Sequence, residues 1–474
     1  MTTTPEELEP MLKAQRAAFM AARPEPLSVR RDRIERLVAL MVDNADELCA
    51  AMSEDFGNRA WTQSMVTDIM ATVNFAKYCL SNLKGWAKPE KRKVQFPLGA
   101  LGGKAELRFE PKGVVGILSP WNFPVNLAFG PLAQVLAAGN RAMLKPSEFT
   151  PKTSEVMARL IAEKFRPDEV AVAAGGPDVA QAFSALPFDH LVFTGSTETG
   201  RKVMQAAADN LTPVTLELGG KSPVVIGRSA DLTRAGERIV MGKMMNAGQI
   251  CLAPDYLLVP ADMEEGVIAA LELAMMDQYP DLTENEDYAT IITDDKAERL
   301  RDMVADAKAG GADVVEIAPG GTASADKRKL PLTIVRNPSD SLACMEEEIF
   351  GPVLPIKTYE TLDEAIDYIN SRDRPLGLYF FGSDNAEREQ VLSRTISGGV
   401  TVNDVVFHVT AEDLPFGGVG SSGIGAYHGP EGFREFSHAR SVFTQPKVDI
   451  AGLAGIKPPY GERARKTMKL MLRK

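Results

Sequence analysis

The chain has 474 residues, about 45% of them apolar and 25% charged, so it is long enough for two or more connected domains and has the make-up of a folded protein. A formal charge of −11 repels phosphate backbones and anionic head groups, which argues against nucleic acid or a membrane surface as a partner and in favour of small-molecule chemistry. Cys49, Cys79, Cys251 and Cys344 lie far apart without CxxC spacing, and the four histidines have no metal-ligand spacing, so neither a disulfide scaffold nor a metal site is expected.

The opening stretch, MTTTPEELEPMLK, is acidic and has no apolar signal region, so a cytoplasmic setting with reduced thiols is expected. Residues 105–110 (AELRFE) alternate like a strand outside any βα rhythm, which suggests a hairpin arm reaching another subunit. Residues 114–140 contain no charged residue and are long enough to span a bilayer, but Pro120, Pro124 and Pro131 divide them into a short strand, a turn and a buried helix.

From there to residue 226 short apolar runs alternate with amphipathic stretches. Strands are expected at 114–118, 142–145, 170–174, 190–193 and 214–218, with helices such as 150–164 and 199–210 between them. In a right-handed parallel arrangement the turns after these strands gather at one sheet edge, where ligands bind. A second alternation runs to about residue 402, with strands at 257–259, 333–335 and 353–358. Residues 310–328, rich in Gly, Ala and charges, read as a surface connection. The tail, 457–474, is strongly basic, and a short helix after Gly461 is expected there. It has too few large apolar residues for stable membrane attachment, so docking on the acidic body or on a second subunit is the expected fate.

Several turns carry chemistry. In SPWNFP (119–124) Asn122 is locked between aromatic residues and prolines, which suits an amide donor to an oxyanion, although an asparagine in a turn is by itself more often there for its backbone conformation. MLKPSE (143–148) offers Lys145 and Glu148 to ribose hydroxyls, or to solvent as surface charge. FTGSTETG (193–200) stands between strand and helix as a phosphate-binding turn does, although its GxxxxG spacing fits a plain tight turn as well. LELGGKSP (216–223) sets Glu217 among leucines, where burial would make it a competent base for water unless Lys221 pairs with it. NAGQIC (246–251) ends a run of small residues on Cys251, leaving that thiol accessible to act as a nucleophile given nearby positive potential. Taken alone, such a lone cysteine is more often structural than reactive.

Taken in order, SPWNFP, MLKPSE, FTGSTETG, LELGGKSP, NAGQIC, EEIFGP (347–352) and LPFGGVGSSGIGAYHG (414–429) resemble the aldehyde dehydrogenase superfamily over nearly the whole chain. The resemblance implies an α/β fold: a Rossmann-like NAD(P)-binding domain, a second α/β catalytic domain and a small β oligomerisation arm. The implied limits are 1–217 for the cofactor domain with its arm near 95–112, 218–402 for the thiol domain, 403–436 for a return to the cofactor domain, and 437–474 for an oligomerisation strand and tail. It implies Cys251 as nucleophile, Glu217 as general base, and Asn122 with the Cys251 backbone N–H as oxyanion hole. Cofactor binding falls to Trp121, Lys145, Glu148, Gly195, Ser196, Leu218, Glu348 and Phe350, with no metal. NAD is the implied cofactor, NADP also being accepted, and the substrate is an aldehyde.

Within the superfamily, the ending GAYHGPEGFREFSHARSV resembles the dimeric class 3 group, which implies a homodimer. EDFGNR (54–59), NAGQICLAPDY (246–256), LPIKTY (354–359) and PPYG (458–461) are similar to bacterial coniferyl-aldehyde dehydrogenases, which implies oxidation of an aromatic aldehyde to its acid, with a fatty or medium-chain aldehyde as the alternative. A CoA-acylating enzyme would use the same thiol without needing Glu217, and a non-catalytic descendant of the fold would need none of the three catalytic residues.

Overall fold

The computed structural model describes residues 3–282, 285–321 and 328–472. In chain order its strands are β1 (Glu90–Arg92), β2 (Lys104–Pro111), β3 (Val114–Leu118), β4 (Arg141–Lys145), β5 (Val170–Val172), β6 (His190–Gly195), β7 (Val214–Leu218), β8 (Pro223–Ile226), β9 (Tyr256–Pro260), β10 (Asp313–Ile317), β11 (Leu332–Arg336), β12 (Val353–Tyr359), β13 (Gly377–Phe381), β14 (Gly399–Val402), β15 (Gly423–Ile424) and β16 (Ser437–Thr444). They form three sheets.

The first sheet runs β15-β7-β6-β3-β4-β5, parallel except for β15. Its parallel strands are covered on both faces, which is why β3, VVGIL, is apolar throughout and wholly buried. Val115, Ile117, Leu144 and Val192 pack on one side with helices Leu27–Asp43, Ala71–Trp86 and Asn126–Ala138. Val114, Leu118, Met143, Leu191 and Phe193 pack on the other, against helices Pro5–Ala21 and Pro177–Ser184. The chain therefore leaves β3 in one direction toward β4 and β5 and in the other toward β6 and β7. This is the doubly wound order, with its reversal between β3 and β6.

The second sheet, β10-β11-β12-β9-β8-β13-β14, is parallel except for β10 and has its own apolar core. The third is antiparallel, β1-β2-β16.

The expected strands are present, with ends displaced by one or two residues. Residues 310–328 are a correction: β10 lies inside this stretch and pairs with β11, its Val and Ile forming an edge strand, while residues 322–327 are outside the described residues. The arm is also larger than 95–112, because β2 pairs with β1 at residue 90 and with β16 from the far end of the chain. Pro97 and the glycines of 99–103 leave the connecting residues unsuited to a ladder. The N-terminal helices between Pro5 and Trp86 and strands β8, β13 and β14 had no counterpart among the elements expected from the sequence. Residues 114–140 form β3 and helix Asn126–Ala138, and no helix among the described residues is long and apolar enough to cross a membrane.

Candidate active site

The loops after β3 and β6 flank the reversal of strand order, where open α/β sheets form a crevice. Trp121 and Asn122 come from the first loop, Gly195 and Ser196 from the second. Ser196 caps helix Thr197–Ala208 by accepting a hydrogen bond from the Thr199 N–H at 3.3 Å, which leaves a helix N-terminus facing the crevice. Leu218 closes β7 and packs on Gly200 of that helix. Lys145 ends β4, one strand further out, and Glu148 follows it. They pair with each other at 2.8 Å, Lys145 buried and Glu148 exposed.

The second sheet presents its opposite edge. Cys251 and Phe350 precede the N-terminal ends of the adjacent parallel strands β9 and β12, so both loops emerge side by side. The thiol loop is sharply bent: Asn246, Ala247 and Gly248 all have left-handed φ, at +51°, +53° and +76°. A β-carbon at Gly248 would stand 2.5 Å from the Gly351 carbonyl, so that glycine lets the two loops touch.

Side-chain amides hold the bent loop. Gln249 donates to the carbonyls of Asn246 (2.9 Å) and Thr290 (3.1 Å) and accepts from the Ile292 N–H (2.9 Å). Gln63 bonds both the side chain and the N–H of Asn246 at 3.1 Å. Asn246 in turn donates to the Asn122 carbonyl at 3.1 Å, and the Asn122 amide donates to the Gln249 carbonyl at 3.1 Å. The two sheet edges are thus stitched together at Asn122, itself only 3% exposed.

Between them lies a cavity of about 910 Å³ lined by Trp121, Asn122, Gly195, Ser196, Glu217, Leu218, Cys251, Glu348 and Phe350. Nine of the eleven expected residues meet there. Lys145 and Glu148 do not line it; they lie at and just beyond the end of β4.

Within the cavity Glu217 is 2% exposed, and neither carboxylate oxygen has a hydrogen-bond partner among the described residues. Lys221 does not pair with it; its ammonium goes to Asp255 and to the carbonyls of Cys344 and Glu347. Burial, and secondarily the Glu435 carboxylate, push the Glu217 carboxyl well above the usual range. The Cys251 thiol is partly exposed, and burial with the Glu348 and Glu217 carboxyls pushes it up to about 12. The groups that act on the thiol are therefore acidic, and the positive potential that would favour a thiolate is not among them.

The cavity also suits a dinucleotide. Glu348, raised to about 8 by burial and Asp255, keeps one carboxylate oxygen without a partner, ready for a hydroxyl donor. Trp121 and Phe350 meet edge to face at 5.4 Å and provide an aromatic wall. Phe350 adopts a left-handed φ of +52°, and Arg299 clamps its loop by donating to the carbonyls of Glu348 (3.1 Å) and Ile349 (2.7 Å).

Arg299, Gln63 and Asp68 escaped the sequence reading. Asp68, fully buried, accepts from Arg59 at 2.8 Å and from the N–H groups of Val125 and Asn126 at 3.2 Å, which fixes the end of the Asn122 loop. These residues sit on amphipathic helices far away in sequence and carry no local signal, except that Arg59 closes EDFGNR.

A doubly wound sheet whose crevice opens onto a second α/β sheet across one shared cavity defines the molecule as an α/β oxidoreductase of the dinucleotide-binding kind. More particularly, the chain belongs to the aldehyde dehydrogenase family, which its residues 1–442 match. It is 50% identical over 467 residues to a probable coniferyl aldehyde dehydrogenase of Caulobacter vibrioides, covering 98% of this chain and 96% of that one. It is 48% identical over 469 residues to a coniferyl aldehyde dehydrogenase of a Pseudomonas species, with the same coverage. A dimeric NADP-preferring aldehyde dehydrogenase of Rattus norvegicus is 37% identical over 94% of this chain and 97% of its own.

Among solved structures, the substrate-bound state of AldH from Staphylococcus aureus superposes with a TM-score of 0.91 at 35% identity, covering 98% and 99% of the two chains. An aldehyde dehydrogenase of Mycobacterium tuberculosis complexed with NAD+ matches with a TM-score of 0.84 at 28% identity over 94% and 92%. The protein is an enzyme that oxidises an aldehyde with a nicotinamide cofactor.

Proposed function

We propose that the enzyme converts an aromatic aldehyde of the coniferyl type to its acid, ferulate in that case, through a thioester on Cys251 that Glu217 helps to hydrolyse. The observation that carries this reading is a partly exposed thiol sharing a cavity with a buried carboxylate that has no partner.

Cys251, as thiolate, adds to the aldehyde carbon, and the oxyanion meets the Asn122 side chain and the Cys251 backbone N–H. A bound nicotinamide supplies the hydride acceptor. Water attacks the resulting thioester, Glu217 takes its proton, and the carbon–sulfur bond breaks to release the acid and the thiolate. Glu217 can do this because burial makes its carboxylate strongly basic and leaves both oxygens free for water.

Lys145 and Glu148 would hold the adenosine ribose, Gly195 and Ser196 the pyrophosphate with Leu218 and Trp121 beside it, and Glu348 and Phe350 the nicotinamide riboside. Glu148 accepts from a ribose 2′-hydroxyl and repels a 2′-phosphate, which favours NAD over NADP. The coniferyl substrate rests on the names of the relatives at 48–50% identity and on a roomy, largely apolar cavity. A fatty or medium-chain aldehyde is the second reading, favoured by the aliphatic wall of Val66, Met70 and Leu127. A homodimer joined through the β16 sheet, the domain limits given above and a cytoplasmic setting complete the proposal.

Steady-state NADH formation over a panel of aromatic and aliphatic aldehydes, with and without CoA, tests it. Highest kcat/KM for cinnamaldehydes without CoA supports the reading; dependence on CoA, or selection of long aliphatic chains, overturns it.

A further inference from the structure

Behind Glu217 a chain of side chains leads away from the cavity. Lys112 and His190 meet at 2.9 Å between Nζ and Nδ1, His190 Nε2 and Thr215 Oγ1 at 2.8 Å, and Thr215 Oγ1 donates to Glu435 Oε1 at 2.7 Å. The direction of this chain is fixed by its ends. An ammonium can only donate and a carboxylate can only accept, so Lys112 donates to Nδ1, the Nε2–H donates to Thr215, and the Thr215 hydroxyl donates to Glu435. His190 is 1% exposed and held neutral by burial and by Lys112, which pull it down to about 3, so the ring keeps a single N–H as this order requires.

The last acceptor is next to the base. Thr215 and Glu217 are two residues apart on β7, so their side chains share a face and stand roughly 7 Å apart. Glu435, at the end of helix Gly429–Glu435, sits over that face, and a β-carbon at Gly425 would meet both it and Thr215. Cys251, Glu348 and the buried Tyr427 share the cavity with Glu217, and burial raises all three above their ordinary values. Arg434, the neighbouring cation, is turned away toward Glu90 at 3.1 Å. Glu435 thus stands over the face of β7 that carries Glu217, bonded to Thr215 two residues away.

We propose that Glu435 is a positioning residue for deacylation: its negative charge, held in place by the Thr215, His190 and Lys112 chain, strengthens Glu217 as the base that activates water. The inference rests on Glu217 being that base. Thr215 and His190 carry no reacting group; they hold the carboxylate in place.

The test is the pH profile of acyl-enzyme hydrolysis in single turnover, read for the wild type and for E435Q, E435D and E217Q. Removing the charge in E435Q makes Glu217 easier to ionise, so the acid limb moves to lower pH by about one unit. The plateau rate falls several-fold because a weaker base assists less, and the NADH burst that precedes hydrolysis keeps its rate. E435D retains the charge and keeps the limb near the wild-type position. A limb unmoved in E435Q, or moved equally in E435D, overturns the inference. Should E435Q fail to fold, T215V, which removes the donor fixing the carboxylate, is read in its place: a shift in the same direction supports the inference and an unmoved limb overturns it. E217Q separates the two levels: if it hydrolyses its acyl-enzyme as fast as wild type, the assignment of the base fails, and if it is slow while E435Q keeps the wild-type limb, only the role of Glu435 fails.

Discussion

The side-chain amide of Asn122 donates to the backbone carbonyl of Gln249 at 3.1 Å, a bond that joins the first sheet to the thiol loop two residues before Cys251. One N–H of the amide is spent on this contact, which fixes its plane, and the other remains for an oxyanion. Asn122→Ala is therefore expected to lower kcat by roughly 10²–10³. It should leave only a small change in Tm, because Asn246 and Gln63 still hold the loop. Pre-steady-state NADH formation with circular dichroism checks this; a variant with unaltered burst rate would contradict an oxyanion role.

The thiol should respond to pH in a defined direction. Burial and two neighbouring carboxyls raise Cys251 to about 12, so its reactive form grows as pH rises. Alkylation of Cys251 by iodoacetamide is expected to increase about tenfold per pH unit from 7 to 9 in the enzyme without cofactor. Glu348→Gln removes one of those charges and should speed alkylation at pH 8. A rate that levels off below pH 7 would show a thiol already ionised.

Glu217 should cost the enzyme stability. A carboxyl raised above its unfolded value is stabilised, relative to the unfolded chain, only at low pH; that stability is lost as pH rises toward the folded pKa. Glu217→Gln has no such dependence. Its advantage over wild type should be small near pH 5 and grow to the order of 1–3 kcal/mol by pH 8. Denaturant midpoints across that range measure it, and a variant less stable than wild type at pH 8 would be inconsistent with an unpaired buried carboxyl.

These residues differ in how much of their role could be read from the chain. The parallel strands were legible because strands buried on both faces are apolar throughout, and the turns between them carried the motif residues to one edge. The N-terminal helices were not, since no motif marks them and their apolar positions follow a helical rhythm in the midst of many charges. For Cys251 the small neighbours announced a special loop, yet its three successive left-handed residues and its acidic surroundings arise from tertiary contacts with Gln63, Gly351 and Glu348. Glu217 stood out as a carboxylate among leucines. Glu435 and His190, which lie behind it, come from distant positions with no shared pattern.

Cofactor preference follows from Glu148. With its carboxylate exposed just beyond β4 and, among the described residues, paired only to Lys145, NAD is expected to give the higher kcat/KM, and Glu148→Gln should narrow the gap by raising the value for NADP. Equal or better use of NADP by the wild type would refute the role of Glu148.

The basic tail forms helix Glu462–Met471 and folds on its own base, with Thr467 donating to the Ala454 carbonyl at 2.9 Å and Lys457 paired with Asp449 at 2.6 Å; residues 473 and 474 lie outside the described residues. Met468, Leu470, Met471 and Leu472 are exposed, but so short an apolar stretch binds bilayers marginally. The protein is expected to stay in the supernatant with anionic vesicles at physiological salt. Co-sedimentation lost on deleting residues 461–474 would reverse this and favour a fatty-aldehyde substrate.

If a thioester on Cys251 awaits water activated by Glu217, E217Q quenched after one turnover with aldehyde and NAD should carry it, and intact-protein and peptide mass spectrometry would see it. A rapid NADH burst is expected, with an acyl adduct on Cys251 that persists long after the wild-type adduct has gone. A full burst with no adduct, or an adduct on Cys49, Cys79 or Cys344, would contradict it.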